Sequence, residues 1–349
     1  MASLTNSRTL NATVRALLSP GKGLLAADES FPTIEKRFKE ICIVSSEETR
    51  RDYRELLFTA PDLGRYISGA ILFDETIRQE TPGGVPMVKV LEKQGIVPGI
   101  KVDGGTILLA NSKRERMTAG LDGLRERLAS YRALGARFTK WRAVFAVGPR
   151  LPSEQAVATN SRTLALFAAL SQEAGLVPIV EPEVLMEGNH SIGRCEEVTA
   201  RVLGSVFGAL SEQGVILEGM LLKTGMLLPG SEADEQASPA RIAEASVRCF
   251  RRTVPAAVPG IVFLSGGQSA RDASIRLAAL CRTPDLPWKL SFSFGRALQA
   301  PALKSWRGSR TRVPAAQKAL LACAKRNGAA TSAGSGFGAR MQTKAPRPC

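Results

Sequence analysis

The chain has 349 residues, 44% of them hydrophobic, which is enough to bury one large core or two ordinary ones. No stretch approaches 18 consecutive apolar residues, which argues against a membrane span, and six cysteines without CxxC spacing argue against a disulfide framework or a zinc ribbon. The net charge of +15 is concentrated late in the chain, because residues 286–349 hold 12 Lys and Arg and no acid.

The N-terminal segment predicts a short helix rather than a targeting signal. Residues 5–23, TNSRTLNATVRALLSPGKG, have a helical pattern that ends in Ser, Pro and Gly. They lack the hydrophobic stretch of a secretory signal. Since the scattered cysteines also suit reduced thiols, we expect a cytoplasmic protein.

One unit then recurs along the chain: an amphipathic helix, a glycine, and a short apolar run that ends in polar residues. Glycine readily ends a helix in the left-handed conformation, so each apolar run is predicted as a strand. The eight predicted strands cover residues 23–29, 68–76, 99–105, 137–147, 176–184, 214–223, 260–267 and 289–296.

Regular alternation of helix and strand indicates parallel strands joined by crossover helices. Eight of them fit a TIM (β/α)8 barrel better than an open doubly wound sheet. We therefore predict a single-domain α/β barrel over residues 1–327. The remaining residues, 328–349, are rich in Gly, Ala, Ser and Lys/Arg, which predicts a disordered basic tail.

Charged and polar side chains follow the predicted strands at their carboxyl ends, and these ends share one face of a barrel. A single charge at a strand end is usually part of a solvated loop, but seven such ends would converge here. The side chains are Asp28, Lys101, Asp103, Lys140, Arg142, Glu181, Glu183, Lys223, Ser265 and Arg296.

The sequence argues against several common kinds of active site and binding site. Its one histidine, His190, argues against a zinc hydrolase and against a Ser-His-Asp triad. There is no GxGxxG after a strand and no P-loop, which argues against the common nucleotide sites. Aromatic residues are only 5% of the chain, so specific nucleic-acid binding is not expected either.

Lysine chemistry fits better. Lys223 ends an apolar strand, and both burial and a neighbouring cation, for which Lys140 is the candidate, disfavour a charged amine. A free amine attacks a ketone and forms an iminium, which permits carbon–carbon cleavage without a metal or cofactor. Glu181 and Glu183 would transfer protons, one being held protonated by its like-charged neighbour.

Two glycine-containing segments predict that the substrate carries phosphate. LSGGQS (264–269) lies between a strand and a helix, where backbone N–H groups can bind an anion. SFGRAL (293–298) repeats the design and adds Arg296 as a bidentate phosphate ligand. Phosphate sites after the last two strands are usual in barrels.

The chain resembles class I fructose-bisphosphate aldolases over residues 8–327. The matching segments, in order, are GKGLLAADES, GIKVDGG, TKWRAV, VPIVEPE, LEGMLLKTGM, FLSGGQS and SFGRALQ, and DESFPTIEKRF suggests a bacterial or algal branch. The resemblance implies reversible cleavage of fructose 1,6-bisphosphate into dihydroxyacetone phosphate and glyceraldehyde 3-phosphate, in glycolysis and gluconeogenesis. It also implies a metal-independent lyase that assembles as a homodimer or homotetramer.

The resemblance further implies a role for individual residues. Lys223 corresponds to the Schiff-base lysine, Glu181 to the principal acid/base, Glu183 and Lys140 to its electrostatic partners, and Asp28 to the group that contacts the reacting hydroxyls. The implied substrate-binding residues are Ser265, Gly266, Gly267, Gly295 and Arg296 at the ketone-side phosphate, Ser30, Thr33, Arg37 and Lys101 at the far end of the sugar, and Arg142 in the same site.

The sequence departs from the family at several positions. Thr224-Gly225 follows Lys223 where the family has Pro-Asn, Gly104 stands where the family has lysine, and the last tyrosine is Tyr131, so no tyrosine ends the chain. Two alternatives therefore stay open. One is a Schiff-base aldolase for another sugar phosphate, and the other is a slow barrel that binds polyanions as a scaffold through its basic C-terminal third.

Overall fold

The computed structural model describes residues 4–333, and its centre is a closed barrel of eight parallel strands. Ten strands are present in this part of the chain: β1 (Gly23–Ala27), β2 (Ile67–Leu72), β3 (Val97–Lys101), β4 (Thr106–Leu108), β5 (Arg116–Thr118), β6 (Phe138–Phe145), β7 (Val177–Val184), β8 (Leu221–Thr224), β9 (Gly260–Phe263) and β10 (Lys289–Phe294). All but β4 and β5 form the barrel, which β10 closes against β1. The predicted TIM barrel is confirmed.

Helices pack around the barrel, and most of them connect successive strands. They are α1 (Leu4–Leu17), α2 (Phe31–Lys39), α3 (Glu47–Phe58), α4 (Asp74–Arg78), α5 (Met87–Lys93), α6 (Leu124–Ala133), α7 (Glu154–Glu173), α8 (Ile192–Glu212), α9 (Pro239–Thr253), α10 (Ala270–Cys281), α11 (Arg296–Trp306) and α12 (Val313–Thr331). Several begin after a serine whose side chain accepts a backbone N–H of the first turn, as Ser153 and Ser191 do at α7 and α8.

The barrel interior is apolar at its N-terminal end. The inward-facing side chains there are Leu24, Ala26, Ile71, Phe138, Val177, Ile179, Leu221 and Val262, and they pack with Leu10, Val14 and Leu17 of α1. Helix α1, predicted from the sequence, thus closes this end. Phe138 needs a glycine beside it, because a Cβ on Gly99 would lie 2.3 Å from its ring. Since side chains alternate along a strand, the next inward positions lie at the open end.

Strand β8 is shorter than predicted. The apolar run 214–223 was predicted as one strand, but Leu217–Gly219 form a 3₁₀ turn and pairing begins only at Leu221. The side chain of Gln172 on α7 takes the place of strand-to-strand hydrogen bonds at Ile216. Its Oε1 accepts from Ile216 N at 2.9 Å, and its Nε2 donates to Ile216 O at 2.8 Å. A distant amide thus satisfies backbone groups that a strand neighbour would otherwise bond.

Strands β4 and β5 form an antiparallel hairpin that the sequence did not predict. It lies between β3 and α6. Asn160 of α7 fixes it by donating to Arg116 O at 2.9 Å and accepting from Thr118 N at 3.2 Å. The hydroxyl of Thr118 donates to Arg142 O at 2.8 Å, which attaches the hairpin to the open end of the barrel.

Helix α12 crosses the predicted boundary between barrel and tail. Residues 328–331 belong to this helix, so the prediction of disorder was wrong for them. Their small side chains pack against the barrel: Ala330 is buried, and the preceding Asn327 accepts from Ser274 Oγ at 2.6 Å. Composition alone misses such packing, because a low apolar content says nothing about how closely two backbones approach. Residues 334–349 of the predicted tail lie outside the described residues.

Candidate active site

A cavity of about 420 Å³ opens at the carboxyl ends of the barrel strands. All of the predicted site residues line it: Asp28, Ser30, Thr33, Arg37, Lys101, Lys140, Arg142, Glu181, Glu183, Lys223, Ser265, Gly266, Gly267, Gly295 and Arg296. Strand alternation explains this convergence. Asp28, Lys140, Glu181 and Lys223 lie two or four residues beyond apolar inward positions on their own strands, so they form the next layer upward.

Glu181 lies between two lysines at the bottom of the cavity. Its Oε1 is 3.1 Å from Lys223 Nζ, and its Oε2 is 3.3 Å from Lys140 Nζ. Lys140 Nζ also contacts Asp28 Oδ2 at 2.7 Å. The side chains of both lysines and of Glu181 are 4–5% exposed. The result is a continuous buried row of charge from Asp28 to Lys223.

The charges of this row keep Asp28 and Lys140 ionised. Burial by itself would raise the pKa of Asp28, but the ammonium groups of Lys140 and Lys223 outweigh it and lower that pKa to about 2. Burial would lower the pKa of Lys140, but Asp28 and Glu181 outweigh it and raise that pKa above its ordinary value. Lys140 is therefore a permanent cation, separated from Lys223 by the Glu181 carboxylate.

The second carboxylate of β7 has a different partner. Glu183 accepts a hydrogen bond from Arg142 Nε, and the main-chain N–H of Arg142 donates to Asp103 Oδ2 at 3.3 Å. We expected one carboxylate of the Glu181/Glu183 pair to be held protonated by the other. In the structure each carboxylate contacts a cation of the neighbouring strand β6: Glu181 contacts Lys140, and Glu183 contacts Arg142.

One side of the cavity carries groups from α2 and β3. Lys101 Nζ lies 2.6 Å from Asp103 Oδ1 and donates to the Asp103 carbonyl at 2.9 Å. Ser30 Oγ and Thr33 Oγ1, on the first turn of α2, are 3.1 Å apart. These groups are cations and hydroxyls that suit an anion.

Glu29 lies behind this side and was not predicted. It accepts a hydrogen bond from Arg37, and its Oε2 lies 2.6 Å from Arg54 of α3. Burial would raise the pKa of Glu29, but Arg54 and Arg37 outweigh it and lower that pKa. Glu29 is visible as an acidic residue in the segment ADES (27–30). However, a residue next to Asp28 points away from it on an extended backbone, so only the packing of α3 shows what Glu29 faces.

The opposite side of the cavity is made of backbone. Gly266 and Gly267 follow β9 with φ of +46° and +82°, a conformation that favours glycine. Among residues 4–333, their N–H groups donate to no acceptor. Gly295 and Arg296 lie beside them at the start of α11, and Arg296 is exposed at the rim. Free N–H groups, a helix N-terminus and a guanidinium together suit phosphate.

Ser293 is a further residue that sequence reasoning missed. It lies on β10, lines the cavity, and is 1% exposed. Its hydroxyl has no hydrogen-bond partner within the described part of the chain. The alternation SFSF (291–294) could have indicated it, because alternate residues of a strand share one face and the two serines face the barrel interior.

Two further properties belong to residues 4–333. No group of three or more His, Cys, Asp and Glu side chains in this range is placed to hold a metal ion. None of its helices is long and apolar enough to cross a membrane.

The chain was compared with known families and proteins. Residues 9–345 match the family model described as "Glycolytic: Fructose-bisphosphate aldolase class-I". A probable fructose-bisphosphate aldolase class 1 of Xanthomonas campestris is 53% identical over 92% of this chain and 96% of its own length. The cytosolic fructose-bisphosphate aldolase 4 of Arabidopsis thaliana is 50% identical over 95% of this chain and 85% of its own.

A solved structure agrees with these relatives. Fructose-bisphosphate aldolase from Plasmodium falciparum, crystallised with TRAP and a small-molecule inhibitor, superimposes with a TM-score of 0.94 and 45% identity. The match covers 95% of this chain and 96% of that one. Bacterial and plant proteins are about equally similar to the chain, at 53% and 50% identity. The resemblance read from the motifs is thereby confirmed, and the chain belongs to the class I fructose-bisphosphate aldolase family.

Proposed function

We propose that this chain performs the reaction of its family, the reversible cleavage of fructose 1,6-bisphosphate into dihydroxyacetone phosphate and glyceraldehyde 3-phosphate, with Lys223 as the iminium-forming residue. The observation that carries the proposal is the contact between Lys223 Nζ and Glu181 Oε1, 3.1 Å apart in a cavity whose opposite sides both suit phosphate. A nucleophilic amine needs a nearby group that removes its proton and returns it, and Glu181 is placed to do both.

The proton steps follow from this contact. Glu181 takes a proton from the Lys223 ammonium, and the free amine attacks the substrate ketone. The carbinolamine then receives a proton from Glu181 and loses water to give the iminium. The iminium accepts the electron pair of the breaking carbon–carbon bond as an enamine. The hydroxyl on the departing side loses its proton to Glu181 and becomes the aldehyde, which leaves. Glu181 then returns this proton to the enamine carbon, and water hydrolyses the resulting iminium, which releases dihydroxyacetone phosphate and regenerates Lys223.

Lys140 and Asp28 support these steps by their charge. Lys140 stays protonated, so it stabilises negative charge on Glu181 and on the developing alkoxide. Asp28 stays ionised and 11% exposed to the cavity, so it can accept a hydrogen bond from a substrate hydroxyl. Neither group has to change its own protonation state during the reaction.

The two sides of the cavity support a substrate with a phosphate at each end. Ser265, Gly266, Gly267, Gly295 and Arg296 would hold the phosphate next to the ketone. The far phosphate would lie against Lys101, Arg37, Ser30 and Thr33, and Arg142 completes the rim. Cations on both sides favour a bisphosphate over a singly phosphorylated sugar.

Borohydride trapping tests the proposal. Incubation with fructose 1,6-bisphosphate, followed by borohydride and peptide mass analysis, should place the reduced adduct on Lys223. Lys223→Arg keeps the positive charge but removes the nucleophilic amine, so turnover should fall by several powers of ten. Lys289→Arg is the matched control, because Lys289 is an exposed lysine at the opposite end of the barrel. An adduct on Lys101 or Lys140 would overturn the assignment.

We also propose that the protein is a cytoplasmic homodimer or homotetramer. Relatives named as cytosolic or cytoplasmic support the location, and the family resemblance supports the assembly. Sedimentation velocity on the purified full chain measures the mass, and a monomer at micromolar concentration would contradict the proposed assembly.

A further inference from the structure

A half-exposed aromatic ring stands next to the far end of the cavity. Phe31, the first residue of α2, is 47% exposed and directly follows Ser30. Its ring meets the ring of Phe73 edge-on, with centroids 5.2 Å apart and an interplanar angle of 78°. An exposed phenylalanine usually gains little from its surroundings, but this one is held in place on two sides.

On its second side the ring of Phe31 contacts a cation. The guanidinium of Arg50 on α3 lies 4.6 Å from the centroid of Phe31. Arg50 is itself fixed by Glu75, since its Nε donates to the two carboxylate oxygens at 2.8 and 3.2 Å. Both side chains of this ion pair are 17% exposed. The ring of Phe31 is therefore packed between a rigid arginine and Phe73.

This aromatic clamp, which we define as Phe31, Phe73, Arg50 and Glu75, joins two elements that line the cavity. Through Phe31 it holds the first turn of α2, which carries Ser30 and Thr33. On the other side the Nζ of Lys101, on β3, lies 6.0 Å from the centroid of Phe73. These are the two elements that approach a far phosphate from either side.

We propose that the aromatic clamp positions the far phosphate site, so that Phe31 sets the preference of this chain for a ketose bisphosphate over a ketose monophosphate. The inference rests on the proposed function and adds a positioning residue that does not line the cavity. Two separate elements must stay at a fixed spacing to bind one phosphate from both sides. Removing the ring takes away the contacts of the α2 start with Arg50 of α3 and with Phe73, which follows β2.

The effect should be confined to one end of the substrate. The ketone-side groups Ser265, Gly266, Gly267 and Arg296 belong to segments after β9 and β10, and none of them contacts the clamp. The row from Asp28 to Lys223 is bound by its own ion pairs. A substrate without a far phosphate should therefore bind and react as before.

The test is the cleavage of fructose 1,6-bisphosphate and fructose 1-phosphate by wild type, Phe31→Ala and Phe31→Tyr. In Phe31→Ala, KM for the bisphosphate should rise about three- to tenfold, which corresponds to part of the free energy of one aromatic pair and one cation–π contact. Its kcat and the KM for the monophosphate should stay within about twofold of wild type. Phe31→Tyr keeps the ring and should restore the wild-type ratio of the two KM values.

Val44→Ala is the matched control, because Val44 is an apolar residue that is 80% exposed between α2 and α3. It should leave both KM values unchanged. The melting temperature of each variant shows whether the fold is kept, and Phe31→Leu serves in place of the alanine variant if that one unfolds. An unchanged KM ratio in Phe31→Ala, or an equal rise for both substrates, overturns the inference. Failure of the wild type to cleave either ester would instead refute the proposed function.

Discussion

The substitution Glu181→Gln tests the row of charge at the bottom of the cavity. Glutamine keeps the shape of the side chain but carries no charge and cannot exchange a proton at neutral pH. Lys140 would keep its 2.7 Å contact with Asp28. Lys223, which is 5% exposed, would lose the one carboxylate that pairs with it among the described residues. The two lysines are therefore affected unequally.

The size of the effect follows from this asymmetry. Breaking a buried ion pair by removing one partner destabilises a protein by about 3–5 kcal/mol. We expect the lower end, about 3 kcal/mol, because the glutamine oxygen can still accept a hydrogen bond from Lys223. The catalytic loss should be larger, since a positioned acid/base contributes about 10²- to 10⁴-fold to a rate. Both iminium formation and bond cleavage need a proton transfer at this position.

Three measurements check this prediction: turnover of fructose 1,6-bisphosphate, the rate of borohydride trapping, and the free energy of unfolding in urea. Turnover should fall about 10²- to 10⁴-fold, while the adduct still forms on Lys223, more slowly. Glu196→Gln is the control, because Glu196 is a carboxylate of α8, 12% exposed, whose partner is Arg248 on α9. It should lower stability without lowering turnover. A Glu181→Gln enzyme with turnover within tenfold of wild type would refute the reasoning.

Three other predictions concern pH, phosphate and the end of the chain. The folded pKa of Asp28, about 2, lies below its ordinary value of 3.8, so the stabilisation that the ionised carboxylate provides is present above pH 4 and is lost as pH falls toward 2. The difference in unfolding free energy between wild type and Asp28→Asn should thus fall by about 2 kcal/mol from pH 5 to pH 2, measured by urea titration at each pH. A difference that does not change with pH would contradict this. Arg296→Ala should weaken binding of the bisphosphate by about 2–4 kcal/mol, measured by calorimetry on a Lys223→Arg background; normal binding with slow turnover would assign Arg296 to the chemistry instead. Deleting residues 334–349, which contain no tyrosine, should leave turnover within about twofold of wild type. Deleting residues 328–349 removes the end of α12 and should lower the melting temperature. A large loss of turnover from the shorter deletion would show that residues 334–349 act in the site.

The positions of the strands could be predicted because each is a local pattern. An apolar run with a glycine before it and charge after it is visible in one short window, so the eight barrel strands were found. The length of β8 was not predictable, since Gln172 is more than 40 residues away and decides where pairing starts. The β4–β5 hairpin was missed for the same reason, because Asn160 on α7 holds it.

The residues of the candidate site were predictable as a set, although their partners were not. Parallel strands in a barrel end at one face, so residues after strand ends share a pocket whatever the loop details are. Which charge meets which depends on strand register and helix packing. The sequence predicted that one carboxylate of the Glu181/Glu183 pair is held protonated by the other, and it did not predict that Glu181 contacts two lysines while Glu183 contacts an arginine. The packing of α3 supplies Arg54 to Glu29 and Arg50 to Phe31, and no local pattern connects these positions.

By itself, the sequence determined the fold class, the family, and the identity of the lysine, carboxylates and glycines that gather in the cavity. Alternation along strands and glycines at helix ends are properties of neighbouring residues, so they can be read without coordinates. Only the tertiary structure decided the pairing of charges, the aromatic contact of Phe31 and the continuation of α12 past residue 327. The physical reason is that an ion pair or a packed ring depends on distances of a few ångströms between segments far apart in the chain, and these distances are set by packing of the whole barrel.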